Sequence, residues 1–338
     1  MIDQRVVLVA DRIGGYMGAT AESTSLELVD DEYFTDLTTA LQTIAPALIH
    51  YDHPRQLIDN AHEHRRDVIF SVWSGERSAN RRSLIAGICE AYGLAYLGAD
   101  ARVASVCQDK YLSHYACSAF GLPTPARLLI ADATEVRRVA DIPYPAVIKP
   151  NFEGGSIGMT AKNLVEHPRD AAPIVKRLLT AFHQPVILEQ FIRGREVSIV
   201  LAGNATDVLV QPIEITLLGD GPPLSDTIWT FETKKLYTRE ALYTPVNVLT
   251  EQERANVRRL YQYLQKAEYL RIDGRLTADG FIPFELSPDV YLGVDGAVAT
   301  AFAHHGVTHD AMLEHLLSLA ISNTNKYVSG GTQECATQ

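Results

Sequence analysis

Three groups of residues in this 338-residue chain have the types and spacing that chemistry on a phosphate or a carboxylate needs. The first is Lys149 followed by the run Gly154-Gly155-Ser156-Ile157-Gly158. Glycines let backbone amides approach phosphate oxygens closely, and a lysine at a strand end adds a compact positive charge. The run is neither a GxxxxGK loop nor GxGxxG, and a hairpin turn would use the same glycines. The second group pairs Arg271-Ile272-Asp273 with Glu285-Leu286-Ser287. On adjacent strands, alternation puts Arg271 with Asp273, and Glu285 with Ser287, on common faces. Two carboxylates from neighbouring strands can share hard divalent cations; the plainer reading is an Arg–Asp pair on an edge strand. The third group is Glu189-Gln190-Phe191-Ile192 with Gly194-Arg195-Glu196. A strand edge with an aromatic neighbour can hold a purine, and a carboxylate can accept hydrogen bonds from ribose hydroxyls. A strand, a turn and a solvated acid would read the same.

The elements that must position these groups alternate through the first third of the chain. Val6 to Ala10 is an apolar run stopped by Asp11 and Gly14-Gly15, the profile of a buried parallel strand. Helical spacing over Glu32 to Ile44, Pro54 to His64 and Ser83 to Tyr92 is interleaved with strands at Leu48 to Tyr51, Asp67 to Trp73 and Ala95 to Leu97. Such alternation implies βαβ units and a parallel sheet. The prolines of Gly121-Leu122-Pro123-Thr124-Pro125 end this layer. Farther on, strands are expected at Ala146 to Pro150, Val186 to Glu189, Val197 to Leu201, Tyr269 to Leu276 and Phe281 to Leu286. Helices are expected at Arg169 to Phe182, Glu251 to Lys266 and His309 to Ile321, with a frayed tail from Asn323. Leu217 to Tyr243, holding Gly219, Gly221, Pro222 and Pro223, reads as one long mobile loop. The expected division is an α/β domain over 1–122, then α+β subdomains over 123–216 and 217–338.

Composition narrows the function classes. Forty-one acids against thirty bases leave a net charge of −11, the wrong field for a large nucleic-acid footprint. A hydrophobic share of 46% supports globular cores rather than disorder. No apolar run approaches the ~18 residues of a membrane span, and the N-terminus lacks a signal-peptide pattern. Cys89, Cys107, Cys117 and Cys335 show no CxxC spacing and read as reduced thiols. These features suit a cytoplasmic protein, with a homodimer compatible.

In this order and spacing, the blocks resemble the ATP-grasp superfamily, specifically its D-alanine–D-alanine ligase-like branch. Gln108-Asp109-Lys110, Glu232-Thr233-Lys234 and the Gly121 to Pro125 run add to the match, which covers nearly the whole chain. The resemblance implies an ATP-grasp fold and an ATP-dependent carboxylate–amine ligase acting through an acyl phosphate. It implies that Lys110 and Lys149 contact the α- and β-phosphates under a flap carrying Gly155 and Ser156. Glu189 and Ile192 would sit at the adenine hinge with Phe191 nearby, and Glu196 would bind ribose. Lys234 would reach the γ-phosphate and Arg271 would stabilise the oxyanion. Asp273, Glu285 and Ser287 would hold Mg²⁺, two ions by family habit, with Mn²⁺ an alternative.

The departures fall on the substrate side. Ser287 stands where the family has asparagine, and Pro288-Asp289 follows it. After Gly14-Gly15 the expected Ser and Glu are missing, and Glu22 is out of register. The expected His-Gly reads Ser74-Gly75, a substrate-binding serine is Gly155, and the tyrosine after the loop lysine is Lys235. Positions that meet the second substrate's carboxylate fall at Gly296 and Ala297. D-Ala–D-Ala synthesis is therefore not expected. The substrates should be a non-standard amino acid or another small carboxylate and an amine, in specialised metabolism. Lys235, Arg77, Arg81 and Arg82 suggest a substrate with an extra anionic group, although the arginines equally suit a solvated helix start. His304 and His305 adjoin the acceptor pocket and read as packing or exposed residues. Intramolecular cyclisation of one substrate, or nucleotide binding without ligation, remain the alternatives.

Overall fold

Val6–Val9 forms strand β1, and all four side chains are buried, as a strand covered on both faces requires. The computed structural model describes residues 1–75, 79–204, 207–236 and 238–329. After β1 come a short parallel pair, Arg12–Ile13 (β2) and Val29–Asp30 (β3), and helix α1, Asp31–Ile44. Asp30 starts that helix by accepting the Tyr33 N–H. Leu48–Tyr51 (β4), Pro54–Asn60 (α2), Val68–Ser71 (β5), Leu84–Tyr92 (α3) and Ala95–Tyr96 (β6) complete a parallel sheet of order β4-β1-β5-β6. The expected α/β layer is present.

Helices Ala101–Gln108 (α4) and Lys110–Ala119 (α5) meet at Asp109, whose carboxylate accepts the Tyr111 and Leu112 N–H groups. Strands Arg127–Ile130 (β7), Ala146–Pro150 (β8), Leu164–Val165 (β9), helix Pro168–Phe182 (α6) and strand Val186–Gln190 (β10) follow. The four strands form an antiparallel sheet of order β7-β10-β8-β9. Val175, Leu178 and Phe182 of α6 pack on Ile148, Val186 and Leu188 beneath them.

The remaining strands are Arg195–Gly203 (β11), Val208–Leu217 (β12), Ala241–Pro245 (β13), Tyr269–Thr277 (β14) and Gly280–Ser287 (β15). They make one antiparallel sheet of order β13-β12-β11-β14-β15. Helices Phe231–Lys235 (α7), Glu251–Leu264 (α8), Ala297–His304 (α9) and His309–Ser329 (α10) accompany them. Val298, Leu313 and Leu316 from the last two helices share a core with Val6, Leu8 and Phe70 of the first sheet. The C-terminal part is thereby welded to the N-terminal layer.

Two expectations need correction, one strand is additional, and one boundary is proposed anew. The segment Leu217 to Tyr243 is not one loop, because it contains α7 and the start of β13. Strand β12 went unanticipated because Pro212 sits inside it, a residue that usually argues against a strand. Here Pro212 is opposite Ile199, and its carbonyl accepts the Val246 N–H. The C-terminal helix continues past Asn323, whose side-chain amide donates to Glu268 at 2.9 Å. A boundary at 216/217 would cut the five-stranded sheet, since β11 and β12 pair with each other and β11 pairs with β14. We propose that the boundary lies instead between β10 and β11.

Candidate nucleotide and substrate site

A cavity of about 710 Å³ opens between the two antiparallel sheets and the N-terminal layer. Lys149 enters it from the end of β8 and is buried with its Nζ 2.9 Å from Glu189 Oε1 on the neighbouring β10. Burial lowers the Lys149 pKa, and Glu189 offsets only part of that loss. Glu189 is held on its other oxygen by the Arg127 Nε at 2.5 Å. Burial alone would raise the pKa of this carboxyl, and the two cations bring it below the ordinary range. The carboxylate expected at the adenine hinge is thus spent on positioning Lys149.

The glycine run crosses the cavity mouth in an unusual backbone. Gly155, Ser156 and Gly158 have φ of 59°, 63° and 78°, and a non-glycine residue held there stores strain that the surroundings must fix. Glu27 supplies that fixing, since its Oε1 accepts the Gly154 N–H at 3.1 Å. A Cβ at Gly158 would meet Pro150 at 2.9 Å and Phe182 at 3.0 Å, so the close packing of this turn needs glycine.

Asp273 and Glu285 face each other across β14 and β15, with Arg271 opposite Ser287. Arg271 forks onto Asp273 with bonds of 2.7 and 2.9 Å, within the cavity wall rather than on an edge. Ser198 donates to Asp273 at 2.5 Å, and Ser287 reaches the same carboxylate at 3.3 Å. Glu285 lies 2.8 Å from Lys110 Nζ. Burial would raise the Glu285 pKa, yet Lys110, Lys149 and Lys234 bring it down to about 2. Among the described residues no three His, Cys, Asp or Glu side chains cluster as a self-sufficient metal cage. Two carboxylates and a hydroxyl nevertheless fit Mg²⁺, which binds through one or two carboxylates plus substrate phosphates. The four contacts on Asp273 fill its lone-pair positions, and the long Ser287 bond is the one a cation would displace.

Phe191 is buried at the other end of the cavity beside Val147, Met159 and Ile228, with Ile192 also lining the wall. Glu196 faces the Arg275 Nε at 2.9 Å, and burial raises its pKa to about 7. Arg275 also donates to the Leu224 and Thr227 carbonyls, tying the segment before α7 to this wall. Lys234 projects from α7 into the cavity, its pKa lowered first by burial and then by Arg271. The stretch between β12 and β13 therefore covers the end of the cavity that holds Phe191 and Glu196. Limited tryptic digestion is expected to cut within it in the free protein, and a non-hydrolysable ATP analogue with Mg²⁺ should suppress the cuts. Unchanged cleavage would count against a closing cover.

The substrate side differs most from expectation. Arg81 is buried rather than solvated, and its guanidinium bonds Glu27 at 2.5 and 2.9 Å and Glu153 at 2.9 Å. Arg82 bonds Glu27 at 2.8 Å and also pairs with Asp289. These cations hold Glu27 at about 2, against the upward push of burial. Arg81 and Arg82 are neutralised within the fold and leave Lys235 as the basic group near Tyr16. Ser74 donates its hydroxyl to the Glu27 carbonyl, and its N–H donates to Asp11 at 3.0 Å. Gly296 caps α9 at the cavity wall. His305 bonds Gln211 at 3.1 Å. Arg77 lies outside the described residues. Glu27, Arg127 and Arg275 were not singled out from the sequence, because nothing local marks a residue whose oppositely charged partners are more than 50 positions away.

Lysines and an arginine from separate elements converge with two carboxylates under a glycine-rich flap. This arrangement, between two antiparallel sheets, defines an ATP-grasp protein. The family profile described as "D-ala D-ala ligase C-terminus" matches residues 118–318, and the chain belongs to that family. It is 31% identical over 141 residues to the D-alanine–D-alanine ligase of Xylella fastidiosa, covering 40% of this chain and 45% of that relative. The chain thus spans less than half of that curated relative. Over 270 residues it is 26% identical to the vancomycin B-type resistance protein VanB of Enterococcus faecalis, covering 78% and 76% of the two chains. The solved D-alanine–D-alanine ligase of Bacillus anthracis superposes with a TM-score of 0.70 at 17% identity, covering 96% of this chain and 99% of that one. At that identity the superposition establishes the fold. Among the described residues no helix is long and apolar enough to cross a membrane.

Proposed function

We propose that this protein is an ATP-dependent ligase that joins a small carboxylate to an amine through an acyl phosphate. The observation that carries the reading is the convergence of Lys110, Lys149, Lys234, Arg271, Asp273 and Glu285 on one cavity. Phosphoryl transfer asks mainly for positioning and charge neutralisation, and this set supplies both. The donor carboxylate oxygen bonds to the γ-phosphorus as the bond to the β–γ bridging oxygen breaks, releasing ADP. The amine nitrogen then bonds to the acyl carbon, phosphate leaves, and the nitrogen loses a proton.

Lys110 and Lys149 would neutralise the α- and β-phosphates and Lys234 the γ-phosphate, with Gly155 and Ser156 above them. Arg271 would meet the oxyanion. Phe191 and Ile192 would flank adenine, and Glu196 would meet ribose. Asp273, Glu285 and Ser287 would hold Mg²⁺, which supplies charge neutralisation on the phosphates. The test is phosphate release from MgATP across a panel of carboxylates and amines. ATP binding without release for any pair would favour a nucleotide-binding protein instead.

The donor and acceptor are proposed to differ from D-alanine. Ser74 and the guanidinium groups that replace the family's polar contacts are engaged with Glu27, Glu153 and Asp289. A substrate deprived of such contacts loses orientation, and a misplacement of ~1 Å costs ~10²-fold in rate. D-Alanine alone is expected to turn over at about a hundredth of the rate of the preferred pair. D-Alanyl-D-alanine as the dominant product, identified by mass, would overturn this assignment.

A further inference from the structure

Lys235 closes α7 and reaches toward the N-terminal layer, where its Nζ lies 4.8 Å from the Tyr16 ring centroid and 3.4 Å from the Tyr16 hydroxyl. Among the described residues no carboxylate is within ion-pair distance of it. The other cations at the cavity are matched differently: Arg82 pairs with Glu27 and Asp289, Lys110 with Glu285, Lys149 with Glu189, Arg271 with Asp273 and Arg275 with Glu196, while the Arg239 guanidinium donates to the carbonyls of Leu217, Leu218, Gly219 and Pro222. Lys234 faces the proposed γ-phosphate. Lys235 is therefore a half-buried cation without a carboxylate partner among the described residues, an arrangement that costs free energy unless something compensates it.

We propose that Lys235, seated on Tyr16, binds an anionic group of the substrate other than the carboxylate being activated. This rests on the ligase reading above and narrows the substrate to one bearing a second carboxylate or a phosphate. Tyr16, Gly155 and Lys235 line the same cavity as the proposed phosphate-binding residues. Gly155 stands on the Lys235 side of the flap, where a Cβ would already meet the lysine Cε at 3.4 Å. A side chain there would lie in contact with the lysine, whereas glycine leaves that face of it uncovered.

The electrostatics agree with the geometry. Burial lowers the Lys235 pKa to about 8, and Lys234 and Arg82 push the same way, while Glu27 and Asp30 only partly oppose them. Tyr16 contributes its ring and hydroxyl. An anion beside the ammonium would favour the charged form, so binding should be strongest below pH 8 and weaken as pH rises through that value. The same sign applies to stability. A lysine whose folded pKa lies below its unfolded value penalises the fold while it is charged, and that penalty is relieved above about pH 8. The Lys235→Met variant should therefore melt no lower than the parent protein at neutral pH, which provides the folding control.

The experiment is calorimetric titration at pH 7 with Mg²⁺ and a non-hydrolysable ATP analogue present. The ligands are aspartate and glutamate of both configurations, phosphoserine, and the neutral counterparts asparagine, glutamine and serine. At least one acid is expected to bind about tenfold or more tightly than its neutral counterpart. The carboxylate and phosphate arms identify which anion is preferred. That preference should fall between pH 7 and 9.5, vanish in Lys235→Met at pH 7, and persist at pH 9.5 in Lys235→Arg. Equal binding of acids and neutral counterparts, an unchanged preference in Lys235→Met, or no binding of any acid would overturn the assignment. Phosphate release without an acid preference upholds the ligase reading and overturns this one. An acid preference without phosphate release from any pair does the reverse.

Discussion

Glu285→Gln is expected to abolish turnover while leaving the fold and nucleotide binding measurable. The side chain sits opposite Asp273 on β15, within 2.8 Å of Lys110. Glutamine keeps the volume and one acceptor oxygen for that lysine, so the packing survives the change. What disappears is a full negative charge in a cavity that otherwise gathers Lys110, Lys149 and Lys234. Without it the proposed Mg²⁺ site retains one carboxylate, already forked onto Arg271. Loss of a preorganised electrostatic group at a reacting centre costs about 10²–10³ in rate. Because the Glu285 pKa is depressed to about 2, the carboxylate stays ionised well below neutrality. Its stabilising contribution is present above the ordinary carboxylate range and is lost as pH falls toward 2. Phosphate release under saturating MgATP, with circular dichroism as the folding check, measures the effect. Near-native turnover would remove Glu285 from the site.

The proposed nucleotide half of this cavity is readable from sequence for a physical reason. Each of its pieces is a short contiguous run on a strand or tight loop, and strand alternation fixes which side chains share a face. Alternation on strands taken as adjacent pairs Arg271 with Asp273 and Glu285 with Ser287, and the cavity gathers all four. The substrate half is not readable in the same way. Glu27, Arg81, Arg82 and Asp289 come from separate segments, and their mutual neutralisation depends on how those segments pack. Read locally, Arg81 and Arg82 are surface arginines at a helix start; in the fold they anchor the carboxylate that holds the flap at Gly154. Strand β12 is hidden for a related reason, because Pro212 is tolerated only through pairing partners elsewhere in the chain.

Arg127→Met and Lys149→Met are expected to separate stability from turnover at one carboxylate. Arg127 and Lys149 both contact Glu189, but they differ in what else they hold. Arg127 also donates to the Lys110 and Phe284 carbonyls, joining β7 to α5 and β15 with its side chain almost wholly buried. Its removal leaves those carbonyls without the guanidinium and leaves Glu189 with only one cation. Breaking such a buried charged network costs roughly 3–5 kcal/mol, so Arg127→Met should unfold at clearly lower urea concentration than the parent. Among the described residues Lys149 donates only to Glu189, and burial already disfavours its charge. Lys149→Met exchanges that cation for an apolar chain of similar length and leaves the Arg127 bond in place. Its unfolding midpoint should move much less, while phosphate release falls by about 10²-fold through loss of fixed charge at the proposed phosphates. Equal destabilisation by the two variants, or full turnover in Lys149→Met, would show that Lys149 serves the fold rather than the nucleotide.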